Sequence, residues 1–356
     1  MATSVYSLSI SGRVILDMHS LNNEGGEGNQ ITTRMVNIVY NDRHTGQPRL
    51  ASVNAISGDM FKHIQAEHLY LLARGKLPLC AGCKKFSASR ILDDKEFMKN
   101  VVGKREGNRW KFKDSEVIGQ LLKTCTLDDL EGILIAPERE RATASEGAER
   151  LESEAERRER IQARSVPRKS VAEFGWVVGL PDMTRTESYF HVRYAAERGE
   201  RAEGEERVTQ PIFHRPASSG VYATVATFEI ARIGFNDISQ TYAIDQEQRE
   251  QRYKALLESV LYTFVEPNGA MRSTQNPHIL GFEGAVTVST QVIPAPTLSP
   301  LEDGYVDELK RVVAALNRVK NGAVTVHEFD SMGRFAEIIQ GLIAETRPYT
   351  LFAERG

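Results

Sequence analysis

Two long strand-like stretches constrain this chain more than any other feature: the alternating SVYSLSISGRVILD at residues 4–17 and GVYATVATFEIARIGF, rich in β-branched and aromatic residues, at residues 220–235. Alternation with period two sends successive side chains to opposite faces of an extended backbone. Both stretches therefore read as strands. The first is expected to be half-buried, with Val5, Ser7 and Ser9 on one face and Tyr6, Leu8 and Ile10 on the other. TRMVNIVYND, at about residues 33–41, KSVAEFGWVVGL and AVTVSTQVI add further strand character, so the chain must build a sheet.

Helical periodicity falls between these strands. SGDMFKHIQAEHLYLLARG opens on Ser57 and Gly58, carries Asp59 in its first turn and stops at Gly75. DQEQREQRYKALLESVLYTFV sets Tyr253, Leu256, Leu257, Val260 and Leu261 on one stripe. DGYVDELKRVVAALNRV and MGRFAEIIQGLIAET read as two late helices. The order strand, helix, strand, strand, helix, strand implies an α+β fold of the ferredoxin or RNA-recognition-motif type with insertions. Expected boundaries are residues 1–75 for the first part of the core, 76–170 for an inserted helical region, 171–295 for the rest of the core and 296–356 for C-terminal helices. Within the insertion, residues 138–165 almost lack large apolar side chains and read as an exposed or disordered connector. SYFHVRYA and QPIFHRPASS read as the two arms of a long hairpin.

Composition excludes several classes. Hydrophobic residues make up 41% and charged residues 26%, ordinary for a soluble protein, and no run of eighteen apolar residues occurs. The N-terminal alternation lacks the basic start and apolar block of a signal peptide, so a cytoplasmic protein without membrane partners is expected. Three cysteines cannot make a disulfide framework, which fits a reducing compartment. A net charge of −3 neither invites nor excludes nucleic acid, because a local basic track can coexist with acidic patches. No nucleotide-binding loop, dinucleotide fingerprint or metalloprotease helix is present, so no catalytic residues and no cofactor are assigned.

Four stretches carry binding chemistry. SLNNEGGEGNQ, residues 20–30, is a flexible connection between two strands, rich in glycine and amides. Lys62 and His63 lie one turn into the first helix, within reach of a phosphodiester set against the Ser57 and Gly58 amides; on residue type alone they are more simply surface positions. GAMRSTQNPHILGFEG, residues 269–284, offers guanidinium, hydroxyl, amide and imidazole groups suited to a phosphate and ribose track, or equally a solvated loop. Tyr189, Phe190, His191, Arg193, Phe213, His214 and Arg215 interleave aromatics with arginine along the hairpin arms, as base-stacking platforms do; hairpin packing is the plainer alternative. Cys80 and Cys83 form a C-x2-C pair, and Cys125 with His63 or His68 would complete a zinc site. A second C-x2-C is missing, which favours reduced, unliganded cysteines.

Taken together, SISGRVILDMHSLNNEGGEGNQ, SGDMFKH, CTLDDLEGILI, RPASSGVYATVATFEIARIG and GAMRSTQNPH resemble the DevR-type CRISPR-associated autoregulator family, across residues 4–295 in ordered patches. Its members are backbone subunits of type I CRISPR effector complexes, and subtypes I-A and I-B are closest in style. The resemblance implies a modified RNA-recognition-motif core with inserted fingers and a thumb-like hairpin at residues 185–216. It implies a filament of copies along a CRISPR guide RNA, with target DNA reached through the guide and other complex subunits as partners. By the same resemblance, Asn22, Asn23, Gly25, Gly26 and Asn29 would lie beside the guide backbone. Ser57, Gly58, Lys62 and His63 would bind phosphate, and Met271, Arg272, Ser273 and Thr274 would form the glycine-rich guide-contacting loop. His191, Arg193 and Arg215 belong to the hairpin that crosses the guide. Two other functions stay open: a metal-independent endoribonuclease using His63 or His278 as general acid or base, and a regulator of its own operon, which lacks a helix-turn-helix.

Overall fold

The computed structural model describes residues 2–107, 109–136, 164–192 and 212–352. The connector expected at 138–165 falls outside them up to residue 163, as do Arg193 and the hairpin insertion ERGERAEGEERVTQ. In chain order the main elements are β1 (Ser7–His19), β2 (Asn23–Glu27), β3 (Gln30–Thr33), β4 (Met35–Asn41), β5 (Pro48–Ile56), α1 (Gly58–Ala73), α2 (Asp114–Thr124), α3 (Thr126–Glu131), β6 (Val177–Val192), β7 (Ile212–Phe228), α4 (Gln246–Val265), β8 (His278–Ser289), α5 (Tyr305–Val319), β9 (Val324–Phe329) and α6 (Met332–Glu345). No helix among the described residues is long and apolar enough to cross a membrane.

The chain divides into two compact units. The first holds residues 1–65, 173–228 and 260–350; the second holds 66–172, 229–259 and 351–356. Expected boundaries placed 229–259 with the core. These residues belong to the second unit because Gly234 and Arg252 close on Asp129 there: Gly234 N donates to Asp129 Oδ2 at 3.0 Å and Arg252 Nη1 to the same oxygen at 2.7 Å. Arg168 Nη2 takes Asp129 Oδ1 at 2.6 Å, so one buried carboxylate holds two buried guanidiniums.

The first unit is a mixed α+β structure built on an antiparallel sheet in the order β9-β8-β1-β7-β6-β5-β4. The four central strands, β8-β1-β7-β6, come from the chain order β1, α1, β6, β7, α4, β8, which matches the order expected from hydropathy. β6 and β7 pair from Thr184↔Gly220 to Val192↔Ile212, the long hairpin that the two arms foretold. β5 and β9 lie outside the expected strands: β9 is six residues long, and β5 opens on exposed Pro48, Arg49 and Leu50, a start without apolar–polar alternation.

β1 departs from the half-buried strand of the alternation pattern, since Ser9 and Ser11 are buried as fully as Leu8 and Ile10. Its serine face is covered by the segment after β8. Ser9 Oγ donates to Pro296 O at 2.7 Å, while Ser7 Oγ and Ser11 Oγ accept from the amides of Ala295 and Leu298. Small hydroxyls satisfied by backbone permit that burial where bare polar groups would not. The core of this unit is aromatic. Phe282 stacks on Phe264 at 4.6 Å between centroids and meets Phe335 edge-on at 4.9 Å, with Phe329 and Phe61 completing the cluster. The C-terminal segment thus joins the sheet core through β9 and α6. Truncating Phe282 to alanine there is expected to cost about 3–5 kcal/mol.

Candidate nucleic-acid interface

The connection between β1 and β4 is not a loose loop. After β1 it forms the hairpin β2–β3, with Glu27 opposite Gln30 and Gly28 at φ 58°, a left-handed turn position that suits glycine. Asn22, just before it, is buried, and its side chain has a structural task. Asn22 Oδ1 accepts the amide proton of Ser57 at 2.7 Å, and its main-chain oxygen accepts from the Arg34 amide and the Thr33 hydroxyl. Asn23 Oδ1 accepts from Ser20 Oγ at 2.7 Å. Gly25, Gly26 and Asn29 are exposed along the hairpin.

Ser57 is the N-cap of α1, its Oγ accepting from Met60 N at 3.2 Å. With its own amide taken by Asn22, that amide is not available to a phosphate. Gly58 answers a packing demand: a Cβ there would lie 2.4 Å from the Phe174 carbonyl oxygen. One turn on, Lys62 is half-buried and His63 exposed.

Hydrogen bonds draw the other expected segments to the same place. The His214 amide on β7 donates to Asn29 O at 2.9 Å, docking the β2–β3 hairpin tip on the outer part of the long hairpin, close to its outermost described pair Val192↔Ile212. Ala270 N donates to Leu21 O at 3.0 Å, and Gln275 Nε2 donates to Pro216 O at 2.9 Å. Arg215 Nη1 reaches Thr274 Oγ1 at 3.4 Å. Four stretches far apart in the chain therefore meet: the β2–β3 hairpin, the start of α1, the first residues of β7 and the loop 269–275.

Met271 sits at φ 54°, turning that loop so that Ser273 and Thr274 are exposed. Arg272 is half-buried and held by Glu266, Asn268 and Asn276. Arg215 Nε is buried without a hydrogen-bond partner among the described residues. On the facing strand of the long hairpin, His191 is exposed and Phe190, opposite His214, packs edge-on against it at 5.6 Å. The position of Arg193 lies outside the described residues.

A buried polar chain supports this region, and hydropathy gave no sign of it. His19 packs edge-on against Tyr222 at 5.0 Å; Tyr222 Oη donates to Asn54 Oδ1 at 2.9 Å; Asn54 Nδ2 donates to Thr33 Oγ1, which bonds Asn22 O. Burial pushes the His19 imidazole down to about 4, against the milder opposing pull of Asp17, so the ring is neutral at ordinary pH. Tyr222 is shifted upward by the same loss of water.

Of the cysteine set, the structure gathers Cys80, Cys83 and Cys125, and the fourth group is Asp128 instead of His63 or His68.

These features define a class: an α+β protein whose antiparallel sheet extends into a long hairpin and gathers polar loops beside one helix start. The family model for the CRISPR-associated negative auto-regulator DevR/Csa2 matches residues 10–310, and the chain belongs to that family. A relative from Methanocaldococcus jannaschii, the CRISPR-associated protein Cas7/Cst2/DevR, is 25% identical over 321 residues, covering 86% of this chain and 88% of its own. Among solved structures, a chain of a pre-nicking CRISPR RNA-guided surveillance complex is 13% identical with a TM-score of 0.45, covering 89% of each chain. Csc2 from Thermofilum pendens is 10% identical with a TM-score of 0.35, covering 96% of this chain and 85% of its own.

Proposed function

We propose that this chain is a non-catalytic backbone subunit of a type I CRISPR surveillance complex, binding guide RNA in the cytoplasm and presenting it for pairing with target DNA. The convergence of the β2–β3 hairpin, the α1 start, the first residues of β7 and the 269–275 loop carries the reading. That surface offers amides, hydroxyls and guanidiniums, which suit a sugar–phosphate backbone. A guide differs from spacer to spacer, so its holder must read backbone and shape in place of base edges.

On this reading the central strands β8-β1-β7-β6 are an RNA-recognition-motif core, and the β6–β7 hairpin is a thumb that crosses the guide. Lys62, Arg215 and Arg272 meet phosphates, while Ser273, Thr274 and the exposed hairpin glycines approach ribose and backbone. Copies of the chain stack head to tail, because only a heterologous, non-closing interface lets one chain type coat a linear polymer.

The test is to purify the full chain from cells carrying a CRISPR array, extract and sequence the bound nucleic acid, and record particle size by light scattering. RNA of CRISPR-repeat origin in large particles supports the reading. Nucleic-acid-free monomers that ignore added guide RNA at low salt overturn it.

A further inference from the structure

We propose that Cys80, Cys83, Cys125 and Asp128 form a structural zinc site inside the second unit. The four ligand atoms, three Sγ and one carboxylate oxygen, all lie within 4.8 Å of one another, and all four residues are buried. A tetrahedral zinc with bonds of about 2.3 Å to sulfur and about 2.0 Å to oxygen separates its ligands by about 3.8 Å for sulfur pairs and about 3.5 Å for sulfur and oxygen. Here Cys80 Sγ lies 3.4 Å and Cys83 Sγ 3.7 Å from Asp128 Oδ2.

The local backbone is shaped for this grouping. Cys83 opens a single 3-10 turn, its amide donating to Cys80 Sγ at 3.3 Å and the Lys84 amide to Cys80 O at 2.9 Å. An amide aimed at a sulfur orients it and stabilises its thiolate, as outer partners of metal ligands do. Gly82 is required in the turn, because a Cβ there would fall 1.8 Å from the Arg90 carbonyl oxygen. Cys125 is extended between α2 and α3, and the next amide, that of Thr126, donates to Pro78 O at 2.9 Å, which fixes the junction beside the turn. Asp128 lies three residues after Cys125, as the third residue of α3, so the side chain of the residue capping the helix and that of its first turn meet at the helix start.

The Asp128 carboxyl group adds to the case for a cation: Oδ2 faces the Cys80 and Cys83 sulfurs, while Oδ1 is buried without a hydrogen-bond partner among the described residues. A buried carboxylate against three sulfurs is costly, and a divalent ion bound through Oδ2 offsets its charge. Three sulfurs select a soft, tetrahedral ion over magnesium or calcium. Four protein ligands and no open side describe a structural ion, one that performs no chemistry. Binding displaces the thiol protons to solvent and ties the 80–83 turn to the α2–α3 junction.

The test uses the untagged full chain from zinc-supplemented cells, dialysed and assayed for metal, with a parallel sample refolded with cobalt. The expected results are near-stoichiometric zinc, thiolate-to-cobalt charge-transfer absorption with strong tetrahedral visible bands, and a melting temperature lowered by several degrees on chelation. Asp128→Cys should keep the metal, and Cys83→Ser should cut it to background. Wild-type chain that is folded yet carries only trace zinc and gives no thiolate–cobalt bands overturns the proposal, whatever the variants do.

Discussion

The side-chain oxygen of Asn22 accepts the Ser57 amide proton at 2.7 Å, joining the end of β1 to the first residue before α1. That bond holds the β2–β3 hairpin against a helix start. Asn22→Ala removes the acceptor and leaves a half-buried amide unpaired, an expected loss of about 1–3 kcal/mol. Guide RNA binding should weaken with it, because the hairpin loses its anchor. Thermal unfolding and RNA titration of the same variant check both effects.

Phosphate binding should follow charge. Lys62→Glu and Arg272→Glu are each expected to weaken RNA binding uniformly across guide sequences. Neutral replacements should flatten the salt dependence by about 0.7 in log–log slope for each phosphate no longer neutralised. Arg272 is restrained by Glu266 in the free chain, so Glu266→Gln should raise affinity several-fold at low salt. Binding isotherms at graded ionic strength read all three.

Acid stability should report His19. Its folded-state pKa, about 4, is below the ordinary 6.5. Above pH 6.5 the two states bind protons alike at this residue. Between pH 6.5 and 4 the unfolded chain takes a proton that the native ring refuses, so stability falls by about 3 kcal/mol in all and levels off below that window. His19→Gln should remove this part of the slope in urea unfolding measured across pH.

Removing Asp129 takes the carboxylate from buried Arg252 and leaves buried Arg168 with Asp237 as its ion-pair partner. Asp129→Ala is expected to destabilise the chain by about 3–5 kcal/mol, though Arg168 keeps the carbonyls of Phe235 and Arg232 as partners. Denaturant unfolding gives the value directly.

Much of the sheet was legible because its central strands and helices obey simple periods. β1, β7 and the hairpin arms announced themselves, as did the cap at Ser57. What escaped was set by contacts distant in sequence. The buried serines of β1 became legible only with residues 295–298 laid across them, and β5 opens on a proline, which weakens its strand signal. SLNNEGGEGNQ reads as a loop from its glycines, yet cross-strand pairing makes it a hairpin. The role of Asn22 depends on a partner 35 residues away. Asp128 had a local signal, its three-residue spacing from Cys125, whereas His63 and His68 suit zinc by residue type alone and are not gathered with the cysteines. Asp129, its neighbour, showed nothing, since its arginines come from distant strand and helix.

The most direct measurement of the central claim is the affinity of the purified chain for two guide RNAs with unrelated spacers, across a range of salt. The account predicts equal affinities that fall steeply and linearly on log–log axes, with particles growing as RNA lengthens. Absence of binding at low salt, or tight binding to one spacer alone, would contradict it.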